Sequence, residues 1–266
     1  TDVCIYNSST QEFRVTKVPS TPNNPMQAVL DGVKRGEIEL ADVDLFFHGT
    51  TVATNALITR RFPKASLVTT KGFRDVIEIR DGTKDNLWDA YADVSGPYIR
   101  RRDRFEVTER VDYAGQVVTP LNEEEARELA RKLKRRGTTT IAVCFINSYA
   151  NMQNEQRMRE ILEEEIPEAN VSTSSEILPE IFEHDRFNTA VANTVLGPLV
   201  YEYVKQLDDE LSAGGYTNDL LLLHSGGGSM TPAMAKHYPV RLAASGIAAG
   251  AIAAKHIAEQ CGYQNA

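Results

Sequence analysis

Three cysteines, one tryptophan and five histidines are all that this 266-residue chain holds of the residues that most often carry metal, redox or stacking chemistry. Cys4, Cys144 and Cys261 are far apart and odd in number, which excludes a disulfide framework or a cysteine metal site. Cys4 and Cys144 stand in apolar runs and are expected as buried small hydrophobes in a reducing compartment. The longest apolar runs, at 220–223 and 247–254, fall far short of the roughly 20 residues that a membrane span needs, so no membrane partner is expected. No basic stretch followed by an apolar one opens the chain, and the expectation is a cytoplasmic protein without a secretory leader. Basic residues number 29 against 37 acidic ones, for a net charge of −8, and no basic cluster is long enough to dominate. A nucleic-acid partner is therefore not expected. The chain has no HExxH, CxxC or GxSxG, and no ligand cluster with metal spacing, so zinc hydrolysis and nucleophile-elbow chemistry have no support and the metal ligands stay unknown.

What is present is a regular alternation, with 42% hydrophobic and 25% charged residues, enough to build a core. Residues 2–6 and 12–18 read as strands, with turn chemistry at Asn7-Ser8-Ser9. Residues 25–35 are helical. A short strand over 43–47 ends in His48-Gly49-Thr50-Thr51, and a helix follows through Val52, Asn55, Ala56 and Ile58. Residues 65–68 read as a buried strand and 73–79 as a short helix. From 80 to 103 the period is lost in a long excursion, of the kind that is usually functional or mobile. Residues 105–111 alternate as one strand, and 117–118 follow a turn at Ala114-Gly115. Ala126, Leu129, Ala130 and Leu133 give the stripe of a helix over 123–135. Residues 139–146 form an apolar strand of the doubly buried type, and a helix over 155–166 stops at Pro167. An edge strand is expected at 171–174. The helical stretch 179–211 contains Gly197-Pro198, and a kink or break is expected there. A strand at 220–223, a short helix at 232–237 and an alanine- and glycine-rich helix at 245–260 complete the chain. Strands alternating with helices define an α/β class with a parallel or mixed sheet.

Three segments invite chemistry. His48-Gly49-Thr50-Thr51 lies between a strand and a helix; its hydroxyls and backbone N–H groups suit an anionic oxygen, and a simple helix cap is the equal alternative. Ser225-Gly226-Gly227-Gly228-Ser229 frees the backbone to wrap a phosphate or a carbonyl, or is a plain flexible loop. It is neither a P-loop nor a dinucleotide fingerprint. Gly246, Gly250 and Ala254 fall four apart on the last helix, which reads as a tightly packed crossing helix capped by Ser245. The runs His184-Asp185-Arg186 and Arg100-Arg101-Arg102 with Arg104 read as solvated charge, with acid–base work and phosphate capture as the respective alternatives.

Several blocks, in order, resemble the hydantoinase A type of the hydantoinase/oxoprolinase family. They are Lys17-Val18-Pro19-Ser20-Thr21-Pro22, the segment from His48 to Ala56, Val68 to Asp75, Val143 to Tyr149, Ser174 to Glu180, and Pro239 to Ala254. The family includes ATP-dependent 5-oxoprolinases, N-methylhydantoinases, and acetone and acetophenone carboxylases. The excursion around Leu87-Trp88-Asp89-Ala90-Tyr91 looks most like the acetophenone-carboxylase and N-methylhydantoinase branch.

The resemblance implies an actin-like, ribonuclease-H-like ATPase fold, with mixed sheets flanked by helices. It implies an N-terminal domain at 1–167 and the start of the hydantoinase A domain at 168–266. The chain begins as if inside a first glycine-rich phosphate turn and stops just before a second, near Asn265-Ala266, so a fragment that is by itself a poor ATPase is expected. The implied activity is phosphorylation of a cyclic amide oxygen by ATP and Mg²⁺, followed by ring-opening hydrolysis. The alternatives are ketone carboxylation and a non-catalytic subunit with an incomplete nucleotide site. By motif position His48, Thr50, Thr51 and Asn55 would face the transferred phosphate or the substrate oxygen. Thr1, Asp2, Gly49, Gly226, Gly227, Gly228, Ser245 and Gly246 would line the nucleotide side. A second large subunit of the hydantoinase B type and homo-oligomerisation are the implied partners.

Overall fold

The computed structural model describes residues 1–21, 25–82, 84, 86, 88–92 and 94–264. Pro22, Leu87, Asn265 and Ala266, which figure in the motifs above, lie outside the described residues. The elements begin with β1 (Asp2–Asn7), β2 (Glu12–Lys17), α1 (Pro25–Arg35), a 3₁₀ turn (Leu40–Asp42), β3 (Phe46–His48), α2 (Val52–Thr59), β4 (Ala65–Thr70) and α3 (Val76–Ile79). A second 3₁₀ turn (Arg101–Asp103) leads to β5 (Arg104–Val107), β6 (Arg110–Val111), β7 (Val117–Thr119), α4 (Glu123–Arg135), β8 (Thr140–Cys144), α5 (Gln153–Glu165) and β9 (Asn170–Thr173). Then come α6 (Ser174–Ile177), α7 (Glu183–Ala213), β10 (Leu220–Leu223), β11 (Ser229–Met230), α8 (Pro232–His237), a third 3₁₀ turn (Pro239–Leu242) and α9 (Ser245–Gln260). The chain is an α/β protein in two compact units: Thr1–Thr51 with Leu199–His237 and Arg241–Ala266, and Val52–Pro198 with Tyr238–Val240. Among the described residues, no helix is long and apolar enough to cross a membrane.

In the unit built on Val52–Pro198, a four-stranded parallel sheet runs in the order β5-β4-β8-β9. Every residue of β4 and β8 is buried, because both faces are covered. The period of two sorts them: Val68, Ile141 and Val143 face α4 and α5, while Leu67, Ala142 and Cys144 pack with Ile77, Ile99 and the Phe187, Ala190, Val191 stripe of α7. The α4 helix follows from local chemistry. The Asn122 side chain caps it by accepting from the Glu125 N–H at 3.1 Å, three glutamates open it, and Lys132, Lys134 and Arg135 close it, each charge matched to the helix dipole.

In the other unit the β1-β2 hairpin turns at Asn7, whose side chain accepts from the Ser9 and Thr10 N–H groups. Its inner face lies on α1 so closely that a Cβ at Gly32 would stand 2.4 Å from Val3 Cγ2, which is why a glycine occurs inside this helix. A three-stranded mixed sheet runs β11-β10-β3, with β10 parallel to β3 and antiparallel to β11.

Several expectations are corrected. Cys4 is exposed, because a two-stranded hairpin covers one face only and Val3 and Ile5 take it. Residues 105–111 form two strands: β5 joins the parallel sheet, whereas β6 leaves it to pair with β7. The α7 helix continues through Gly197-Pro198; Val195, Leu196, Val200 and Val204 are buried on both sides, and that burial offsets the roughly 3 kcal/mol that an interior proline costs. Ser245 is not the cap of α9, since left-handed Ala244 holds that place and the Ser245 hydroxyl turns to the Thr50 carbonyl. Nor is α9 tightly packed along its small-residue stripe: nothing lies within 4 Å of a Cβ at Gly246 or Gly250, and Ile247 and Ile257 are exposed. The two charge runs are not simply solvated either. Arg104 is buried against Glu78 and Asp75, Arg101 clasps Asp75 with two nitrogens, and Arg186 is fully buried.

Candidate functional site

The parallel pairing of β3 with β10 sets Leu222 opposite His48, so the carboxyl ends of both strands share one edge. Such edges are where open α/β sheets bind ligands, because the loops leaving them are free of ladder bonds. Gly49 leaves β3 against Leu223, whose Cδ1 would lie 3.4 Å from an added Cβ. The Ser245 hydroxyl donates to the Thr50 carbonyl at 3.3 Å and ties the start of α9 to the same loop. The turn after β10 is held there as well, through the Ser225 N–H to the Arg241 carbonyl at 2.7 Å.

His48 is buried, and its Nε2 lies 2.7 Å from the Tyr203 hydroxyl of α7. Burial pulls the His48 pKa from 6.5 down to about 4, so the ring is neutral at pH 7. Burial likewise raises the Tyr203 pKa, and a hydrogen bond from Thr50 works against that rise. Thr50, Tyr203 and His48 are thus joined by hydrogen bonds between neutral groups. The result is an uncharged relay of hydroxyl, phenol and imidazole.

The glycines of the second loop answer to His224. The Gly226 N–H donates to His224 Nδ1 at 3.0 Å, the Gly227 N–H donates to the His224 carbonyl at 3.0 Å, and the Gly228 carbonyl accepts from the His224 N–H. A Cβ at Gly226 would stand 2.8 Å from His224 Cε1, and one at Gly228 3.0 Å from Nε2. Gly227 has φ +83°, and a Cβ there would meet Ile252 Cδ1 at 3.0 Å. The imidazole folded over the turn thus accounts for the glycines, and the N–H groups of Gly226 and Gly227 are occupied by His224.

Of the residues singled out by sequence, His48, Gly49, Thr50, Gly226, Gly227, Gly228 and Ser245 come together in this one unit. Thr51 ends the same segment, and Gly246 is exposed in the first turn of α9. Asn55 lies exposed on α2, in the other unit. Thr1 exchanges backbone hydrogen bonds with Val18, and Asp2 pairs with Lys17 at 3.0 Å; the Lys17 hydrogen bond and charge hold its carboxyl below the usual range. Sequence reasoning misses Tyr203 and His224. His224 stands directly before the glycine run, and that position is the signal that could reveal it. Tyr203 is 155 residues from His48 and carries no motif.

Comparison with known proteins defines the class. The hydantoinase/oxoprolinase N-terminal region matches residues 1–166, and hydantoinase/oxoprolinase matches residues 186–266. The chain is 37% identical to an uncharacterized protein of Methanocaldococcus jannaschii over 97% of its own length and 38% of that protein's. It is 32% identical to the acetophenone carboxylase gamma subunit of Aromatoleum aromaticum, over 96% of this chain and 37% of that one. The crystal structure of the ATP-dependent caprolactamase from Pseudomonas jessenii matches with a TM-score of 0.86 at 27% identity, over 98% of this chain and 39% of that one. The chain therefore belongs to the hydantoinase/oxoprolinase family, an enzyme family whose members here are subunits of larger assemblies or long chains. It spans less than two fifths of the length of the relatives it matches.

Proposed function

We propose that this chain forms part of an ATP-dependent enzyme that activates the oxygen of a cyclic amide for ring-opening hydrolysis. Family membership over nearly the whole length is the observation that carries the reading. An amide carbonyl is a weak electrophile, and a phosphoryl group placed on its oxygen by ATP opens the carbon to attack by water. The proposal includes an actin-like ATPase fold, a division near residue 167, and a multi-subunit assembly with a hydantoinase B type partner.

The chain's own residues point to the substrate side of this chemistry. Among the described residues, no group of three or more His, Cys, Asp or Glu side chains stands ready to hold a metal ion by itself, and a Mg²⁺ ion carried on a nucleotide would need only one or two carboxylates beside the phosphates. The side chains joined at the β3–β10 edge, His48, Thr50, Tyr203 and Ser245, are uncharged, which poorly suits a triphosphate and well suits a neutral carbonyl. In this reading Thr50, Tyr203 and His48 form a relay that orients the substrate oxygen and keeps a neutral donor beside it. Thr51 and Asn55 remain proposed for the transferred phosphate or the substrate oxygen, and Thr1, Asp2, Gly49, Gly226, Gly227, Gly228, Ser245 and Gly246 for the nucleotide side.

The test is ADP release by the full-length protein with its co-purifying subunits, screened against 5-oxoproline, hydantoins, caprolactam and ketones with and without bicarbonate. Turnover of a cyclic amide independent of bicarbonate is expected, and His48→Ala with Thr50→Ala should abolish it while leaving the fold intact. Full turnover in that double variant overturns the assignment of these residues. A second reading, ketone carboxylation, is favoured by the 32% identity to the acetophenone carboxylase gamma chain, and bicarbonate-dependent ADP release would select it.

A further inference from the structure

A cavity of about 430 Å³ lies within the unit built on Val52–Pro198, at the amino end of β4 and just ahead of β5. The carboxyl end of that sheet is closed by a buried polar network, in which Glu155 accepts from the Phe145 and Ser175 N–H groups and from the Ser174 and Ser175 hydroxyls. The amino-end cavity has a different character. Phe62 and Tyr98 form one side, edge to face with ring centroids 5.5 Å apart. Among the described residues of its lining, Arg60, Lys64, Arg100 and Arg102 supply four cations, against the single carboxylate of Asp103.

Among the described residues, the charges are not balanced internally. Arg60 donates to the Gly96 and Pro97 carbonyls at 2.6 and 3.2 Å and lies 5.1 Å from the Tyr98 ring centroid, and its charge meets no carboxylate of a described residue. Arg100 makes no ion pair among the described residues. The buried Asp103 carboxylate is taken first by Arg136 at 2.6 Å, with Arg102 at 3.7 Å and Lys64 at 4.0 Å drawn in more loosely. One acid thus holds two of the cations in place without neutralising the group. Cations converging over an aromatic wall recognise an anionic head on an apolar body.

We propose that this cavity binds a small organic anion, with its carboxylate or phosphate on Lys64, Arg100 and Arg102 and its apolar body against Phe62 and Tyr98. A half-open pocket of this volume, with an aromatic wall on one side, has room for a free small molecule.

The test is calorimetric titration of the full-length protein at low ionic strength with phenyl phosphate, benzoate and inorganic phosphate. Saturable binding of phenyl phosphate or benzoate is expected, with the preferred one identifying the head group, and with inorganic phosphate at least about tenfold weaker. Arg100→Gln and Lys64→Gln should each weaken it by about tenfold, the scale of one charge-assisted hydrogen bond. Tyr98→Leu should weaken the aromatic anions alone. Unfolding midpoints within a degree or two of the parent would show that the exposed Arg100→Gln and Lys64→Gln leave the fold unaltered. Equal affinity in the parent and Arg100→Gln overturns the proposal. So does inorganic phosphate binding as well as phenyl phosphate, or capture of an acidic peptide with no binding of either aromatic anion.

Discussion

The His48 Nε2 and the Tyr203 hydroxyl stand 2.7 Å apart across 155 residues of sequence, in a hydrogen bond between a phenol and a neutral imidazole. Thr50 bonds the same phenol. Tyr203→Phe keeps the ring and removes the hydroxyl. The imidazole and Thr50 then each lose the partner they share. On the proposed chemistry, ADP release by the full-length protein should fall by about tenfold or more, the equivalent of one well-placed hydrogen bond, with a stability loss of about 1 kcal/mol. A Tyr203→Phe enzyme with parental turnover would show that the relay serves the fold alone.

Burial of His48 also makes stability depend on pH. Its folded pKa of about 4 lies below the unfolded 6.5, so between these values the unfolded chain binds the extra proton. Stability therefore rises with pH through that window, is fully present above 6.5, and is lost as pH falls toward 4. The difference amounts to roughly 3 kcal/mol for a shift of this size. Urea unfolding at pH 7.0 and 4.5 should show this loss in the parent and a clearly shallower one in His48→Gln.

Glu155 is fully buried, and four donors converge on it: two backbone N–H groups and two serine hydroxyls. The guanidinium of buried Arg186 reaches the same Ser174 hydroxyl and donates to the Phe145 and Glu180 carbonyls. Glu155→Ala strands these donors in the interior and should cost about 3–5 kcal/mol in urea unfolding. Glu155→Gln, which keeps one acceptor oxygen, should cost distinctly less. Equal losses in the two variants would mean that shape, not hydrogen bonding, decides the site.

Much of this architecture is legible in the sequence because it is local. The stripe Ala126, Leu129, Ala130, Leu133 marks α4, and the apolar run around Ile141–Cys144 marks a strand buried on both faces. The misreadings come from partners that no local pattern reveals. Cys4 reads as a core residue, but its hairpin has only one covered face. Pro198 reads as a break because the burial that carries α7 through it is contributed by distant residues. At the site, His48 and Thr50 stand out at a strand–glycine–helix junction, whereas Tyr203 meets them only through tertiary packing.

The glycine run 226–228 tests whether its composition answers to a ligand or to the fold. A methyl group at Gly226 would collide with His224 Cε1 at 2.8 Å, and the ring cannot simply retreat, since its Nδ1 accepts the Gly226 N–H. Gly226→Ala should therefore lower stability by about 1–2 kcal/mol, as overpacking with a lost hydrogen bond does. Combining it with His224→Ala removes the obstacle, so the two losses should not add, and the coupling should reach about 1 kcal/mol in a double-mutant cycle. Gly227→Ala should stay costly in either background, because its φ of +83° strains any side chain and Ile252, not His224, fills the space beside it. Additive losses for the 226–224 pair would mean that the imidazole does not shape this turn, and the glycines would then have to be explained by what binds there.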